Sequence, residues 1–248
     1  MKKRKFIKRG FSLVELSIVL IIIGLLLGGV SVGSKLIKAA KISSIINDLT
    51  EYERALYSFE LAYDALPGDM NNASSFWTSS QDGDGDSLIK TSCISGPNNL
   101  ENLIAFEHLS SSKIISGDYS GLGYVSGSQS ELPLAGYNVP ELAIASAVIS
   151  YSYLASWYIY NSGTLINFER NLISAGLAHT SCSSTNLNVF KPVDVKTIDS
   201  KIDDGYPDTG LLISGTPLSA CAEASTGPTT AEYNLDSTTE LCPLFYLY

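Results

Sequence analysis

The stretch DGDGDS places three carboxylates at alternate positions, Asp82, Asp84 and Asp86. Carboxylate oxygens are the ligands that calcium prefers, and the intervening glycines permit the tight path that a calcium loop needs. The spacing departs from the EF-hand template, because Ser87 stands in place of its glycine and Cys93 in place of its bidentate glutamate. Two alternatives therefore remain, a calcium loop and a solvated acidic turn.

A second pair of acids, Asp203 and Asp204, lies at the end of a predicted helix. Acidic side chains in the last turn oppose the helix dipole, so a nearby cation would be favourable. If the fold brings this pair to the acidic loop, we expect a shared ion site. Calcium is the one candidate cofactor that the sequence offers.

The chain has four cysteines, Cys93, Cys182, Cys221 and Cys242. Four cysteines allow three disulfide pairings, and spacing alone does not choose among them. A zinc site is the rival interpretation, but the chain has no CxxC pair and its two histidines, His108 and His179, are isolated in sequence. Disulfides are therefore the favoured interpretation.

Catalytic motifs find little support in this sequence. It contains no phosphate-binding loop, no dinucleotide fingerprint and no metalloprotease helix. The serines, aspartates and two histidines show no arrangement beyond what any serine-rich chain offers. We expect no catalytic residues and no enzyme activity.

Charge is distributed unevenly along the chain. The formal net charge is −9 over 248 residues, yet six of the sixteen basic residues lie within the first ten positions. Residues 11–248 hold ten basic and twenty-five acidic side chains, a net charge of −15. Such a body repels phosphates, so nucleic acid is not an expected partner.

The basic leader is followed by a segment suited to lipid. Leu16–Ser34 contains nineteen uncharged residues, which as a helix would cover about 28 Å, close to the roughly 30 Å hydrocarbon core of a bilayer. The preceding positive charges should stay in the cytoplasm and send the rest of the chain across. The cysteines would then lie in an oxidising compartment, which favours disulfides.

Glu15 immediately precedes this apolar segment. It can lie in the headgroup zone as an ordinary flanking residue, where a carboxylate costs little. Alternatively, it faces a cation within an apolar assembly, because a charge near lipid depth is costly unless paired. The neighbouring residues distinguish the two.

A basic leader, Gly10, Phe11, Glu15 and an uninterrupted apolar helix, in this order, resemble the processing site of type IV prepilins and type II secretion pseudopilins. The resemblance implies that prepilin peptidase cuts between Gly10 and Phe11 and that Phe11 becomes N-methylated. It also implies that Glu15 neutralises the terminal ammonium of an adjacent subunit during assembly. Related subunits and an inner-membrane assembly platform are the further partners implied.

The resemblance implies an α+β, lollipop-like fold, with a long N-terminal helix packed on an antiparallel-sheet head stapled by disulfides. Because pilin C-terminal loops are commonly closed in this way, it favours a Cys221–Cys242 disulfide. Cys93 would then pair with Cys182. It places the chain in the bacterial inner membrane before assembly, with the N-terminus cytoplasmic, and in a periplasmic pseudopilus or a surface pilus afterwards.

Beyond the apolar run, large side chains recur every three or four residues, which predicts one stripe along a helix. They are Ile42, Ile45, Leu49, Tyr52, Leu56, Phe59 and Tyr63. Pro67 cannot continue such a helix. We therefore expect a cleaved leader at 1–10, a long helix within 11–65 whose part 11–34 crosses the membrane, and a head at 66–248.

The sequence of the head predicts both helices and strands. We expect a short helix at 98–110, a loop at 117–140, one or two strands at 143–160 with a continuation at 164–168, a helix at 191–204, and closing strands at 211–214 and 244–248.

The sequence thus predicts a structural subunit of a type IV pilus or of a secretion pseudopilus. The alternative is a signal-anchored periplasmic binding domain that never polymerises.

Overall fold

A computed structural model describes residues 12–90, 101–126, 129–143, 147–159, 164–177, 189–214, 221–223, 230–239 and 242–247. The chain forms two compact units, residues 1–41 and residues 42–248. The cleavage pair Gly10 and Phe11 and the cysteines Cys93 and Cys182 lie outside the described residues.

Helix α1 comprises Leu13–Tyr63. It begins one residue after Ser12, so the helix starts two residues later than the sequence predicts. It ends at Tyr63, within the predicted range 11–65, and Asp64 adopts a left-handed conformation with φ of 52°, which aspartate tolerates better than most residues. The predicted stripe is confirmed, with two members half-buried (Tyr52 and Tyr63) and the rest buried: Ile42, Ile45, Leu49, Leu56 and Phe59.

In the described part of residues 42–248 there are two shorter α-helices and one turn of 3₁₀ helix, Ala73–Ser75. Helix α2, Glu101–Ser111, is buried along its first ten residues. Helix α3, Pro192–Ile202, starts with proline, whose missing N–H is no loss in a first turn. Gly205, with φ of 81°, follows the end of α3 in the left-handed conformation that glycine commonly adopts after a helix.

Four antiparallel strands form the main sheet, in the order β3-β4-β8-β5. They are β3 Ala147–Ile159, β4 Thr164–Leu177, β8 Leu244–Tyr246 and β5 Leu212–Ile213. Strand β8 lies between β4 and β5, with Tyr246 opposite both Ile173 and Leu212. The closing strands that the sequence predicts are therefore neighbours in one sheet.

Two pairs of short strands lie outside this sheet. Strand β1, Tyr124–Ser126, pairs with β2, Gln129–Leu132, and β6, Ala222–Glu223, pairs with β7, Glu232–Tyr233. The first pair lies within the segment predicted to be loop, so that prediction was wrong in part. Strand β4 also continues nine residues beyond the predicted end at residue 168.

Alternation along the strands divides the apolar side chains between two faces of the sheet. Leu244 and Tyr246 of β8 join the main core together with the α1 stripe and α2, whereas Phe245 packs with Leu172 and Ile213 in a small second cluster. The main core therefore holds the second half of α1, helix α2 and one sheet face together.

We predict that Leu49→Ala lowers the free energy of unfolding by about 2–5 kcal/mol, because Leu49 is fully buried in the main core. Leu61→Ala is the matched control on the same helix. Leu61 is 90% exposed, so we expect a change within about 0.5 kcal/mol. Denaturant unfolding of the full chain in detergent, followed by tryptophan fluorescence, measures both. Equal losses would contradict the assigned core face.

Candidate functional site

The N-terminus of α1 is closed by Ser12 and Glu15. The Ser12 backbone N–H donates to Glu15 Oε2 at 2.8 Å, and the Val14 N–H donates to Ser12 Oγ at 3.3 Å. This is a capping box, in which two backbone N–H groups at a helix start are satisfied by side chains. Sequence reasoning missed it, although the S-x-x-E spacing signals it. The Glu15 carboxylate is thus already a hydrogen-bond acceptor within one chain, from a neutral donor.

The first half of α1 exposes large apolar side chains on every face. Leu13 is 87% exposed and Ile23 is 46% exposed, and the other Leu, Ile and Val side chains of 13–37 lie between these values. By length and composition α1 is the one helix, among the described residues, that could cross a membrane. A helix that is apolar all around requires lipid or other helices as its surroundings.

Cys221 and Cys242 form a disulfide bond. The backbone N–H and C=O of Phe190 exchange hydrogen bonds with Cys242, and the Asn234 N–H donates to the Cys221 carbonyl. The bond therefore joins the β6–β7 pair to the residues just before β8. The Cys221–Cys242 pairing is confirmed, while the Cys93–Cys182 pairing stays a prediction.

The acidic loop wraps around a carboxylate that the sequence analysis did not single out, that of Asp69. Asp69 Oδ1 accepts hydrogen bonds from the N–H groups of Gly85 and Asp86 at 2.7 and 3.0 Å, and Oδ2 accepts one from Ser87 at 2.8 Å. Burial raises the pKa of Asp69, and these three backbone donors oppose that effect. The loop thus supplies amide donors to a carboxylate from the turn after α1.

The loop carboxylates also have protein partners. The Lys90 ammonium contacts Asp84 and Asp86, the latter at 2.6 Å, and the Ser74 N–H donates to Asp82 at 2.7 Å. The Lys90 ammonium lowers the pKa of Asp84. A lysine four residues after Asp86 was the available sequence signal. The calcium prediction for this loop stays untested, and a cation from the chain itself already lies beside two of its three acids.

Glu101, the first residue of α2, supports the same loop. Its carboxylate accepts hydrogen bonds from the Lys90 and Asp84 N–H groups at 2.9 and 3.3 Å. Burial raises the pKa of Glu101 to about 7. One carboxylate oxygen from each of Asp69, Asp84 and Glu101 lies within 4.8 Å of the others.

A second group of carboxylates lies at the end of α3, formed by Asp199, Asp203 and Asp204, again with one oxygen of each within 4.8 Å of the others. Asp199 is buried, accepts hydrogen bonds from Tyr233 Oη at 2.8 Å and the Gly205 N–H at 3.1 Å, and has its pKa raised to about 6 by burial. Among the described residues, no group that could share one ion combines the α3 acids with the loop acids.

His108 lies on α2 and is fully buried. Its Nδ1 accepts a hydrogen bond from the Gly68 N–H at 3.0 Å, and its Nε2 lies 2.8 Å from the Gln81 carbonyl oxygen. Because Nδ1 is an acceptor, the ring hydrogen is on Nε2, which donates to Gln81. Burial lowers the pKa of His108, so the ring is neutral at pH 7. Both ring nitrogens are engaged with backbone, which leaves neither for a nucleophile or a metal.

Helix α1 thus begins at a capped N-terminus, is apolar on every face up to Ile37 and could cross a membrane, and residues 42–248 form an α+β unit with a disulfide. Residues 6–31 match the family described as the prokaryotic N-terminal methylation motif. The match confirms the resemblance to type IV prepilins and pseudopilins and supports a processed subunit of that kind. Comparison with curated proteins and with solved structures gives no match.

Proposed function

We propose that the chain is a structural subunit that prepilin peptidase cuts between Gly10 and Phe11 and N-methylates at Phe11. It is then assembled with identical or related subunits into a filament. The observation that carries this proposal is the N-terminal methylation motif at residues 6–31, placed directly before and within the apolar part of α1. A single-span anchor in the inner membrane stores the subunit before assembly.

The assembly step rests on the charge of Glu15. In one chain Glu15 accepts a hydrogen bond only from a neutral N–H among the described residues, and that bond leaves its charge uncompensated. Cleavage creates an ammonium at Phe11 that needs the opposite charge when it enters apolar surroundings. The proposed contact joins the Glu15 carboxylate of one subunit to the Phe11 ammonium of another, and the apolar side chains of α1 pack around it.

The role proposed is structural rather than catalytic. The one described histidine is neutral, buried and bonded to backbone through both nitrogens, which supports this assignment. A surface pilus and a periplasmic secretion pseudopilus are both compatible with the motif. Shearing of intact cells distinguishes them, since abundant chain in the sheared fraction identifies a surface pilus.

We predict that the mature protein begins with N-methyl-Phe11, because the motif positions cleavage after Gly10. Intact-mass and N-terminal peptide mass spectrometry of membrane-extracted protein measures this. Gly10→Leu is the control and should accumulate as the uncut precursor. A wild-type chain that begins at Met1 would instead favour the alternative, a signal-anchored binding domain that does not polymerise.

Two variants separate the charge of Glu15 from its capping role. Glu15→Gln keeps an oxygen that can accept the Ser12 N–H but removes the charge, whereas Glu15→Leu removes both. We predict that both variants insert in the membrane and are cleaved, and that both lose most filament assembly, measured by electron microscopy and recovery of polymer. Normal filaments from Glu15→Gln would show that capping, and not charge pairing, explains this residue.

We further propose that the α3 acids bind calcium. Oxygens within 4.8 Å of one another fit one ion with ligands at about 2.3–2.6 Å. Among the described residues no lysine or arginine forms an ion pair with Asp199, Asp203 or Asp204. Nearby, Asp208 Oδ1 is buried and has no hydrogen-bond partner among the described residues. Burial is the main cause of the raised pKa of Tyr233, and the negative charges of Asp199, Asp204 and Asp208 raise it further.

We predict that millimolar calcium raises the melting temperature of the full chain in detergent, and that Asp204→Asn removes most of the rise. Asp84→Asn is the matched control in the acidic loop and should leave the rise intact, because Lys90 already compensates that group. A rise abolished only by Asp84→Asn would place the ion in the loop. No rise in the wild type would exclude both sites at this concentration.

A further inference from the structure

The imidazole of His108 joins three segments of the head. The ring stacks on Phe59 of α1, with centroids 6.0 Å apart and planes inclined by 12°, and lies 6.0 Å from the Trp77 ring. Its two nitrogens hold the turn after α1, through Gly68, and the start of the acidic loop, through Gln81. The side chain is 0% exposed. One buried ring therefore fixes two stretches of the connection between α1 and α2.

A proton on Nδ1 is incompatible with this arrangement. The Gly68 N–H points at Nδ1, so a protonated ring would set one N–H against another and remove the hydrogen bond. The Gly68 turn cannot adjust by moving toward α2. With φ of 94°, its backbone lies so close to that helix that a Cβ would stand 2.3 Å from the Glu101 carbonyl oxygen. The turn must therefore move away from α2.

Movement of Gly68 affects the acidic loop directly. The next residue, Asp69, holds the N–H groups of Gly85, Asp86 and Ser87. The Gly83 N–H also donates to the Met70 carbonyl at 2.8 Å. If the turn is released, the Asp69 carboxylate moves away from these N–H groups, and the acidic loop loses its attachment to the turn.

Two carboxylates face the His108 ring. Glu107, on α2, places its Oε2 3.8 Å from His108 Nε2. The negative charge of Asp82, in the acidic loop, also acts to raise the pKa of His108. The contacts from α1 and from the segment after it, Phe59 and Trp77, are uncharged. Both carboxylates favour the protonated ring, but burial dominates and keeps the pKa of His108 below its ordinary value.

We propose that His108 is a proton-sensitive latch: the neutral ring holds the turn 66–70 and the acidic loop against α2, and protonation in mild acid releases both. In the released state the ring has the ordinary imidazole pKa of about 6.5. As the pH falls below that value, the released state binds a proton that the closed state lacks. Opening therefore increases with acidity.

Glu101, in the same region, favours the closed state in acid, whereas His108 favours the released state. Burial raises its pKa to about 7 in the closed state, and release lets the pKa fall toward its ordinary value of about 4.5. The closed state therefore holds the Glu101 proton more tightly, and acid favours closure through this group. In the wild type this effect opposes that of His108, and Asp69, whose pKa is also raised by burial, acts in the same direction as Glu101. A test of His108 therefore uses Glu101→Gln as its background and compares it with the same chain carrying His108→Asn.

We predict that, in the full-length Glu101→Gln chain in detergent, the opening equilibrium of peptides within 66–90 rises up to about 25-fold between pH 7 and pH 5. Hydrogen exchange followed by mass spectrometry, corrected for the intrinsic exchange rate, measures this. Adding His108→Asn should abolish the rise toward acid, because asparagine offers an acceptor oxygen that does not titrate, and Asp69 alone favours closure in acid. Adding His179→Gln, the other histidine, should leave the slope unchanged.

A flat profile in Glu101→Gln, or a rise in opening toward acid that persists with His108→Asn, would overturn the proposal. If these variants do not fold, the wild type still provides a test through NMR titration of its two imidazoles, assigned with His179→Gln. The proposal requires a His108 pKa well below 6.5. A value of 6.5 or above would show that the ring titrates without opening the turn.

Discussion

Helix α1 must satisfy two different surroundings along one continuous run of backbone. Up to Ile37 its large apolar side chains are exposed on every face, and from Ile42 only one stripe is buried while charged residues take the other faces. The hydrophobic effect is not directional, so an all-apolar helix requires apolar surroundings on every side, whereas a stripe requires one packed surface. The two compact units separate at this change of pattern, between Lys41 and Ile42. The stripe contributes Leu49, Leu56 and Phe59 to the main core.

The Glu15 carboxylate, in the apolar half of α1, needs a partner that lipid does not provide. Its hydrogen bond from the Ser12 N–H stabilises the helix start, since a capping box satisfies donors that the helix leaves open. That bond offers a dipole and not a counter-charge. One neutral donor does not offset the charge of a carboxylate that leaves water, and in the proposed assembly the terminal ammonium that cleavage would create supplies the cation. Capping and charge pairing are compatible roles, because a carboxylate has two oxygens and several acceptor positions.

The sequence predicts the elements with strong periodicity and misses those fixed by distant partners. The α1 stripe, α3 with Pro192 at its first position, and the neighbouring strands β5 and β8 follow from local patterns that agree with the fold. The extension of β4 beyond residue 168 does not, because Ile173 and Ala175 become strand residues by pairing with Tyr246 and Leu244, about seventy positions away. Likewise Asp82, Asp84 and Asp86 were identified by type and spacing. Their partners Lys90 and Ser74, and the buried Asp69 and Glu101, depend on how the connection between α1 and α2 folds back on itself.

The carboxylates of the head lie in two different surroundings, one in the acidic loop and one at the end of α3. Asp69 and Glu101 are surrounded by backbone N–H donors from one short loop, and Lys90 supplies the positive charge nearby. Removing a carboxylate from water is tolerable when several donors replace the lost hydration. At the end of α3, buried Asp199 accepts hydrogen bonds from a phenol and one N–H. Half-buried Asp203 and exposed Asp204 also accept hydrogen bonds from backbone N–H groups, and Asp204 from a threonine hydroxyl. Among the described residues, no lysine or arginine forms an ion pair with these three acids. The acidic loop therefore has a cation of its own in Lys90, whereas the calcium ion that we propose would supply one to the α3 acids. His108 belongs to the first of these surroundings, since its neutral ring satisfies backbone groups on both sides, and its sensitivity to protons follows from that complete satisfaction.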